Sequence, residues 1–326
     1  MGFDSKLQDY FANVNITLSG KPAEHLTHIY ADYVEIVSLF SNQNYVSTAD
    51  VLDRFRDEGI IMQNKNDEEQ AGENDKNEKW INSIFQILNE REYLYAADYP
   101  FEILGNNKIK LKDQAQLTDK NRLYIFLLLA SSLNVFGLFE SELTSEFELV
   151  CFHTLAKYLP SHATVKSFGK NSEYTGTATE KITKLAIDLK VNIDDDFLNK
   201  ISPKGNQERG LDIIGWIPFS DNVSNHFSLF CQCACGKEWY KKLTETRRYE
   251  RYYKFHCNKP NHAMFIPYSL INFQDSDFYQ ADELGTDTLL FERKRILNYI
   301  DDLTFFKALN SKLLVDNCIG FEEDIV

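Results

Sequence analysis

Hydrophobic positions recur at helical spacing along the first part of the chain. In residues 23–40 apolar side chains return every three or four positions and form one face, which predicts an amphipathic helix. Ser47-Thr48-Ala49-Asp50 has the form of a capping box and predicts a second helix that runs to about Arg56. Residues 80–89 and 118–134 continue the helical pattern, so this part of the chain is predicted to be mainly helical.

A β-hairpin is predicted between the last two of these helices. Two short apolar stretches, 99–104 and 108–111, flank Gly105-Asn106-Asn107, which suits a tight turn. Three helices followed by a hairpin is the order of elements in a winged helix, so residues 23–140 predict a winged-helix-like domain. Acidic side chains on its second and third helices favour docking of a protein partner over binding of DNA.

Two polar stretches in this part predict no regular structure. Residues 1–22 predict a flexible arm, because no apolar periodicity begins before Ala23. Residues 63–78 read QNKNDEEQAGENDKNE and are almost free of hydrophobic side chains, which predicts a disordered surface loop.

From residue 141 onward, predicted strands and helices are mixed. The elements are a helix over 146–159, a strand over 163–168, a helix over 177–189, and strands over 208–219 and 226–234. A last apolar-periodic helix is predicted over 289–309. The fold class is therefore α+β, with a helical N-terminal domain and a second domain over 141–326.

Composition excludes several classes of protein. The 326 residues, 43% hydrophobic and 13% aromatic, are enough for about two folded domains. No stretch is apolar for the roughly 18 to 20 residues that a membrane span needs, so no membrane partner is expected. The N-terminus lacks the pattern of a secretory signal, and six cysteines without such a signal indicate reduced thiols in the cytoplasm.

The net charge of −14 argues against a protein that coats nucleic acid, but the charge is uneven. Residues 142–270 hold 17 Lys and Arg against 15 Asp and Glu, so the acid lies elsewhere. Within 237–259 basic residues alternate with tyrosines, which predicts either contact with the phosphate backbone of DNA or a solvated amphipathic helix. The candidate DNA-binding side chains are Lys241, Lys242, Arg247, Arg248 and Arg251.

Polar side chains on two neighbouring predicted strands suit a divalent metal. Asp212 lies near the start of one strand, Gln232 lies on the next, and Lys237 follows just beyond it. Mg²⁺ prefers oxygen ligands and keeps several waters, so an acid, an amide and a main-chain carbonyl suffice. The metal polarises a phosphate and activates water, while an ammonium stabilises the growing negative charge. Hydrolysis of phosphodiesters is the reaction that such a site would serve.

The order of these motifs resembles that of the PD-(D/E)xK nucleases, specifically the Mrr-like, restriction-endonuclease-like branch. Phe147-Glu148 is similar to the helix motif of the family, Glu208-Arg-Gly-Leu-Asp212 to its acidic strand, and Phe230-Cys-Gln232-Cys to the start of its third element. The resemblance covers about residues 142–265. It implies an αβββ core, Mg²⁺ or Mn²⁺ as cofactor, Asp212 as the main metal ligand, Gln232 as the second and Glu148 as an outer carboxylate.

The lysine position departs from the family's Q-x-K pattern. Two residues after Gln232 the chain has Ala234, and the first lysine is Lys237, after Gly236. On the nuclease hypothesis, a bulge or strand exit at Gly236 returns Lys237 to the site. Glu180 and Glu208 are weaker acidic candidates, for which a surface role and a structural role are favoured.

The cysteines offer a competing interpretation. Cys233, Cys235, Cys257 and His262 carry the ligand types that zinc prefers, but C-x-C with C-x₄-H matches zinc ribbons poorly. Because Cys231, Cys233 and Cys235 alternate along one strand, buried thiols that face the core are favoured. Zinc is therefore not the expected cofactor.

The expected function is that of a Mg²⁺-dependent DNA endonuclease. The resemblance further implies an effector subunit of a bacterial defence complex, because such family members often act against phage or foreign DNA. The expected partners are DNA and a protein, an ATPase or a sensor subunit, that docks on the N-terminal domain. Two alternatives stay open: a catalytically degenerate nuclease-fold adaptor that binds DNA or a partner ATPase, and a zinc-stabilised interaction protein.

Overall fold

The chain folds as two compact units of mixed α and β structure. A computed structural model describes residues 2–18, 22–23, 26–41, 45–61, 67–201, 209–255, 258–284 and 287–321, with the side chains of 67–71 left out. The first unit draws on residues up to Leu143, on Tyr268–Gln280 and on the chain from Asp302 onward. The second unit comprises Thr144–Pro267 and Ala281–Asp301. No described helix combines the length and the apolar character that crossing a membrane requires.

Helices dominate the first unit. Its N-terminal helices are α1 (Phe3–Ala12), α2 (Thr27–Phe40), α3 (Thr48–Asp57), α4 (Asp67–Tyr95) and α5 (Asp119–Ser131). The strands β1 (Val46–Ser47), β2 (Phe101–Leu104) and β3 (Lys108–Leu111) form an antiparallel sheet in the order β1-β3-β2. The predicted capping box is confirmed, because the Ser47 hydroxyl accepts from the Asp50 amide and Asp50 accepts from the Ser47 amide. The predicted hairpin is confirmed too, with Gly105 and Asn106 at φ +60° and +63°.

Two predictions for this unit were wrong. The stretch 63–78 was predicted to be a disordered surface loop, but its residues 67–78 belong to the helix α4. Residues 62–66 lie outside the described residues. The apolar part of this helix is buried through Ile81, Ile84 and Phe85, and adding turns to an existing helix is far easier than starting one. The N-terminal arm contains α1, whose Tyr10 is buried with its ring 5.5 Å from that of Phe136.

The predicted division into domains also differs from the observed one. The boundary lies between Leu143 and Thr144, and two C-terminal segments complete the first unit. These segments carry β10 (Ile271–Asn272), β11 (Asp277–Phe278) and α11 (Asn310–Ile319). Side chains far apart in sequence hold them there: Tyr95 donates to Ser269 at 2.8 Å, and Arg122 pairs with Asp316 at 2.9 Å.

A five-stranded mixed sheet forms the centre of the second unit. Its strands are β4 (Thr164–Ser167), β6 (Ile213–Ile217), β7 (Phe227–Cys233), β9 (Asn261–Phe265) and β12 (Thr288–Phe291), in the order β12-β9-β7-β6-β4. The strand β6 is antiparallel to both β4 and β7, while β9 is parallel to both β7 and β12. A separate two-stranded sheet joins β5 (Asn192–Ile193) to β8 (Tyr253–Lys254).

Helices cover both faces of the five-stranded sheet. On one face lies α6 (Glu140–Tyr158); its Leu155, and Leu159 directly after it, approach Gly215 so closely that a Cβ there would lie 2.4 Å from Leu159 Cδ1. On the other face, α7 (Ala178–Leu189), α8 (Asp195–Leu198) and α9 (Tyr249–Tyr252) share a core with Ile214 and Phe230. The sheet is therefore a buried layer whose polar groups gather at strand ends.

The predicted helix over 289–309 was wrong. The chain instead forms β12, then α10 (Arg293–Tyr299), then a 3-10 turn over Phe306–Ala308. Glu292 ends the strand and caps the helix, because its carboxylate accepts from the Arg295 amide at 2.8 Å. Apolar periodicity across this stretch therefore came from two different elements.

Candidate active site

A carboxylate from α6 lies at the end of the second-unit sheet. Phe147, Val150 and Cys151 turn toward the core, and Glu148 is half-buried beside them. The main-chain amide of Lys170, just after β4, donates to Glu148 Oε2 at 2.9 Å. This contact ties the end of β4 to the helix and holds the carboxylate at the strand end.

A second carboxylate, that of Asp212, is fixed through both its main chain and its side chain. Its amide donates to the Cys231 carbonyl at 2.9 Å, and its carbonyl accepts from Phe168 and Gly169 at 2.7 and 2.9 Å. Its Oδ2 accepts from the Cys233 amide at 2.7 Å. Asp212 thus bridges β4, β6 and β7 immediately before β6 begins.

The two carboxylates converge on Gly169. A Cβ on this glycine would lie 2.7 Å from Glu148 Oε2 and 2.9 Å from Asp212 Oδ1. Only a residue without a side chain leaves room for both oxygens at this point. The structure therefore brings together Glu148 and Asp212, two of the site residues that the sequence singled out.

Lys170 lies beside this carboxylate pair, because its own amide holds Glu148. Burial raises the pKa of the Cys235 thiol well above its ordinary value, and Cys151 and Glu148 raise it further, whereas Lys170 and Lys242 lower it. The Lys170 ammonium donates to Thr144 Oγ1 at 2.7 Å, one helical turn before Glu148. Lys170 was missed in the sequence, where its only signal is its position directly after a strand and a glycine.

Gln232 does not turn toward Asp212 in the way that the resemblance implied, and this is a correction. Side chains alternate along β7, and the thiols of Cys233 and of Cys151 on α6 lie close enough that each shifts the pKa of the other. Gln232 leaves the opposite face with Phe230, and its Nε2 donates to Glu245 Oε2 at 2.8 Å. Its Oε1 is buried and accepts no hydrogen bond from any described group.

Lys237 is not brought to the carboxylate pair either. After Gly236 the chain enters a 3-10 turn over Trp239–Lys242, which the buried Trp239 anchors. Burial lowers the pKa of the half-buried Lys237, and its ammonium forms no ion pair with a carboxylate in the part of the chain that the structure describes. A strand exit at Gly236 therefore occurs, but it does not return this lysine to Asp212.

The carboxylate pair fits a hard divalent cation better than zinc. No group of three or more His, Cys, Asp and Glu among the described side chains is arranged to hold a metal. Mg²⁺ does not need such a group, because one or two carboxylates and several waters satisfy it. Glu148 and Asp212 supply two carboxylates that meet beside Gly169, and carboxylate oxygens are ligands that Mg²⁺ and Mn²⁺ accept.

The zinc interpretation loses one of its ligands. Both ring nitrogens of His262 are engaged, Nδ1 with Thr246 Oγ1 at 2.9 Å and Nε2 with Glu250 Oε1 at 3.1 Å. Cys257 and Glu208 lie outside the described residues. Glu180 caps α7, because its carboxylate accepts from the Thr177 amide at 2.7 Å, in line with the surface role that was favoured.

The basic segment over 237–259 is not one amphipathic helix. It folds as 3-10 turns, the short α9 and β8, with Trp239, Tyr249 and Tyr253 buried. Its candidate DNA-binding side chains differ in their surroundings. Lys241 pairs with Glu238, Arg247 with Asp287 at 3.4 Å and Arg248 with Glu245 at 3.8 Å, whereas Lys242 and Arg251 are exposed.

The chain was compared with models of protein families, with curated proteins and with solved structures, and none of them matches it.

Proposed function

We propose that the second unit hydrolyses phosphodiester bonds of DNA with the help of Mg²⁺ or Mn²⁺. The observation that carries the proposal is the convergence of Glu148 and Asp212 on Gly169. Two carboxylates held side by side at the end of a sheet, with Lys170 beside them, form an arrangement suited to phosphoryl chemistry.

The order of elements supports a restriction-endonuclease-like core. The helix α6 is followed by β4, β6 and β7, which lie side by side in the sheet, as the αβββ pattern of the PD-(D/E)xK resemblance requires. Glu148 and Asp212 occupy the helix and strand positions expected for the family's acids. The orientation of Gln232 and the position of Lys237 depart from that pattern, and the cation beside Glu148 here is Lys170.

A divalent metal bound by Asp212 and Glu148 would supply Lewis-acid polarisation of a phosphate oxygen and an activated water. The chain's own residues prepare that chemistry. The Cys233 amide holds Asp212 Oδ2, so that Oδ1 is the oxygen near Gly169, and the Lys170 amide holds Glu148 Oε2, the oxygen of that carboxylate that lies near the same glycine. The ammonium group of Lys170 offers positive charge close to where negative charge develops on the phosphate.

The first unit supports a role in protein contact. The helices α2, α3 and α4 precede β2 and β3, and β1 completes a sheet in the order β1-β3-β2, which supports the winged-helix-like topology. We propose that this unit docks a protein partner, an ATPase or sensor subunit of a defence complex in the cytoplasm. The described cysteines are free thiols, in keeping with a reducing compartment.

One observation favours a second candidate function. Gln232 is committed to Glu245, and Lys237 has no carboxylate partner among the described residues, so two of the four site positions that the resemblance implies are altered. A chain that had lost hydrolysis would still present its basic segment, and it would act as an adaptor that binds DNA or a partner ATPase.

DNA cleavage by the purified chain tests the proposal. Supercoiled and linear DNA are incubated with Mg²⁺ or Mn²⁺, and Asp212→Asn is expected to lower the cleavage rate at least about 100-fold. The matched control is Asp221→Asn, which changes an exposed acid of the same unit. Cleavage that survives Asp212→Asn would overturn the site, whereas DNA binding without cleavage in the wild type would favour the adaptor.

A further inference from the structure

A basic pocket opens on the α8 and α9 side of the second unit. Its cavity volume is about 330 Å³, within the range of roughly 300 to 1,000 Å³ common for small-molecule sites. The described lining includes four cations and two aromatic rings and contains no carboxylate. The side chains that matter for the argument are Lys200, Arg209, Arg248, Arg251, Phe197 and Tyr252.

The local structure directs several of these side chains toward the pocket. Arg248, Arg251 and Tyr252 are three and four positions apart across α9, so they share one side of that helical turn. The Tyr252 ring packs against Tyr249, with 5.4 Å between centroids. The Tyr252 carbonyl accepts from the Asp194 amide at 2.8 Å, which ties α9 to the start of α8 and so to Phe197.

The positive charge of the pocket is only partly balanced. Arg248 lies 3.8 Å from Glu245, whose other oxygen accepts from Gln232. Lys200 lies over the Phe197 ring, 4.8 Å from its centroid. Neither Lys200 nor Arg251 forms an ion pair with a carboxylate among the residues that the structure describes. Like charges gathered in one concavity repel each other and raise the local concentration of anions.

The chemistry of the lining selects one class of ligand. A guanidinium binds the oxygens of a phosphate through paired N–H donors, and aromatic faces stack on nucleobases. The pocket holds both kinds of group, with Phe197 two-fifths exposed at its rim. We propose that this pocket binds a nucleotide unit, with its phosphate on the arginines and its base against Phe197 and Tyr252.

Arg209, which lines this pocket, is close in sequence to Asp212 of the carboxylate pair. Arg209 stands three residues before Asp212, a stretch that spans at most about 10 Å when fully extended. Arg209 and Gly210 both have positive φ, +49° and +83°, and a Cβ on Gly210 would lie 2.5 Å from Glu245 Cβ. The nucleotide in the pocket is therefore either a free ligand or one unit of a DNA strand that also lies near the carboxylates. Only the second possibility rests on the proposed function.

Binding measured in EDTA tests the proposal without cleavage. Adenosine 5′-monophosphate, adenosine and inorganic phosphate are titrated by calorimetry, and a fluorescein-labelled dA₁₂ oligonucleotide by polarisation. Arg251→Ala is expected to weaken binding about tenfold or more, and Phe197→Leu several-fold through loss of the ring. Lys254→Ala, an exposed cation three positions after Arg251 and outside the described lining, is the matched control and is expected to change binding much less.

The outcomes separate the two sources of the nucleotide. Saturable binding of the monophosphate, weakened by Arg251→Ala and Phe197→Leu, assigns the pocket to a free nucleotide. Oligonucleotide binding with the same sensitivity, and no binding of the monophosphate, assigns it to a strand. The proposal is overturned if neither variant changes any binding, or if inorganic phosphate binds as tightly as the monophosphate and Phe197→Leu has no effect. Cleavage assayed in parallel reports on the proposed function independently.

Discussion

In the first unit the carboxylates of Asp32 and Glu35 close around a guanidinium, whereas in the second unit those of Glu148 and Asp212 converge on a glycine. Arg91 Nη1 lies 2.8 Å from Asp32 and 2.9 Å from Glu35, and all three residues are buried. Tyr99 and Tyr124 donate to Glu35 at 2.8 and 2.9 Å. Burial by itself lowers the pKa of Arg91, but the two carboxylates more than offset this and raise it well above its ordinary value.

The two clusters are expected to differ in whether they bind an added cation. The Arg91 cluster carries its own cation between its two carboxylates. The amides of Lys170 and Cys233 hold Glu148 and Asp212 so that the two carboxylates meet at Gly169. Two acids arranged in this way are suited to an added cation, and the comparison predicts that changes in the first cluster affect stability while changes in the second affect metal-dependent activity.

Removing the guanidinium is the strongest test of the first half of this comparison. Arg91→Met leaves two buried carboxylates without their cation, so the free energy of unfolding is expected to fall by about 3–5 kcal/mol. Urea denaturation measures it. Arg56→Met removes a surface ion pair with Asp53 and is expected to cost at most about 1 kcal/mol. Equal losses in the two variants would show that the cluster has no special role.

Adding a single methyl group at Gly169 tests the second half of this comparison, which concerns the role of Glu148 and Asp212 in activity. Gly169→Ala would place its Cβ within 3 Å of both carboxylate oxygens, so the pair must separate. Misplacement of catalytic groups by about 1 Å costs roughly 100-fold in rate, and that loss is expected here in a DNA cleavage assay. Gly236→Ala meets open space and is the control. Unchanged cleavage by Gly169→Ala would contradict the convergence as the basis of activity.

The lysine beside the pair should have a smaller effect. Lys170→Gln removes an ammonium near Glu148 and is expected to slow cleavage about tenfold, because one positive charge that favours the developing negative charge is lost. Lys170→Arg should restore much of the rate, since it retains the charge. Lys184→Gln removes an exposed lysine on α7 and provides the baseline. If Lys170→Arg is as slow as Lys170→Gln, the role of Lys170 is not electrostatic.

The smallest expected effect is a pH dependence of stability in the second unit. Burial lowers the pKa of His262 below 6.5, although Glu250 partly raises it. The unfolded chain therefore takes up a proton at a higher pH than the folded chain, and stability falls as pH drops below about 6.5. His262→Gln should show a smaller loss of unfolding free energy between pH 7 and pH 5, measured against the exposed His162→Gln. An equal loss of unfolding free energy in the two variants would show that His262 does not cause the pH dependence.

Local signals in the sequence were sufficient for several elements. Ser47 with Asp50 and the Gly105-Asn106 turn were readable because each depends on neighbours within four residues. The pairing of Glu148 with Asp212 was also anticipated, because the order of the motifs carried it. In each case the residues that determine the feature are either close in sequence or occur in a fixed order along the chain.

What the sequence did not reveal depends on distant contacts. Gln232 faces Glu245 because of how the 3-10 turns fold back over β7, and no spacing rule encodes that. Lys170 reaches the site through the end of β4, and Asp316 joins the first unit through Arg122. The extension of α4 through a polar stretch depends on the buried anchor around Ile84, which composition alone conceals.

Manganese binding by the wild-type chain tests the central claim most directly. Titration followed by electron paramagnetic resonance is expected to show about one Mn²⁺ bound per chain with carboxylate and water ligands. Asp212→Asn and Glu148→Gln should each weaken that binding at least about tenfold, while Asp221→Asn leaves it unchanged. Identical Mn²⁺ binding in the wild type and in both site variants would contradict a metal site between Glu148 and Asp212.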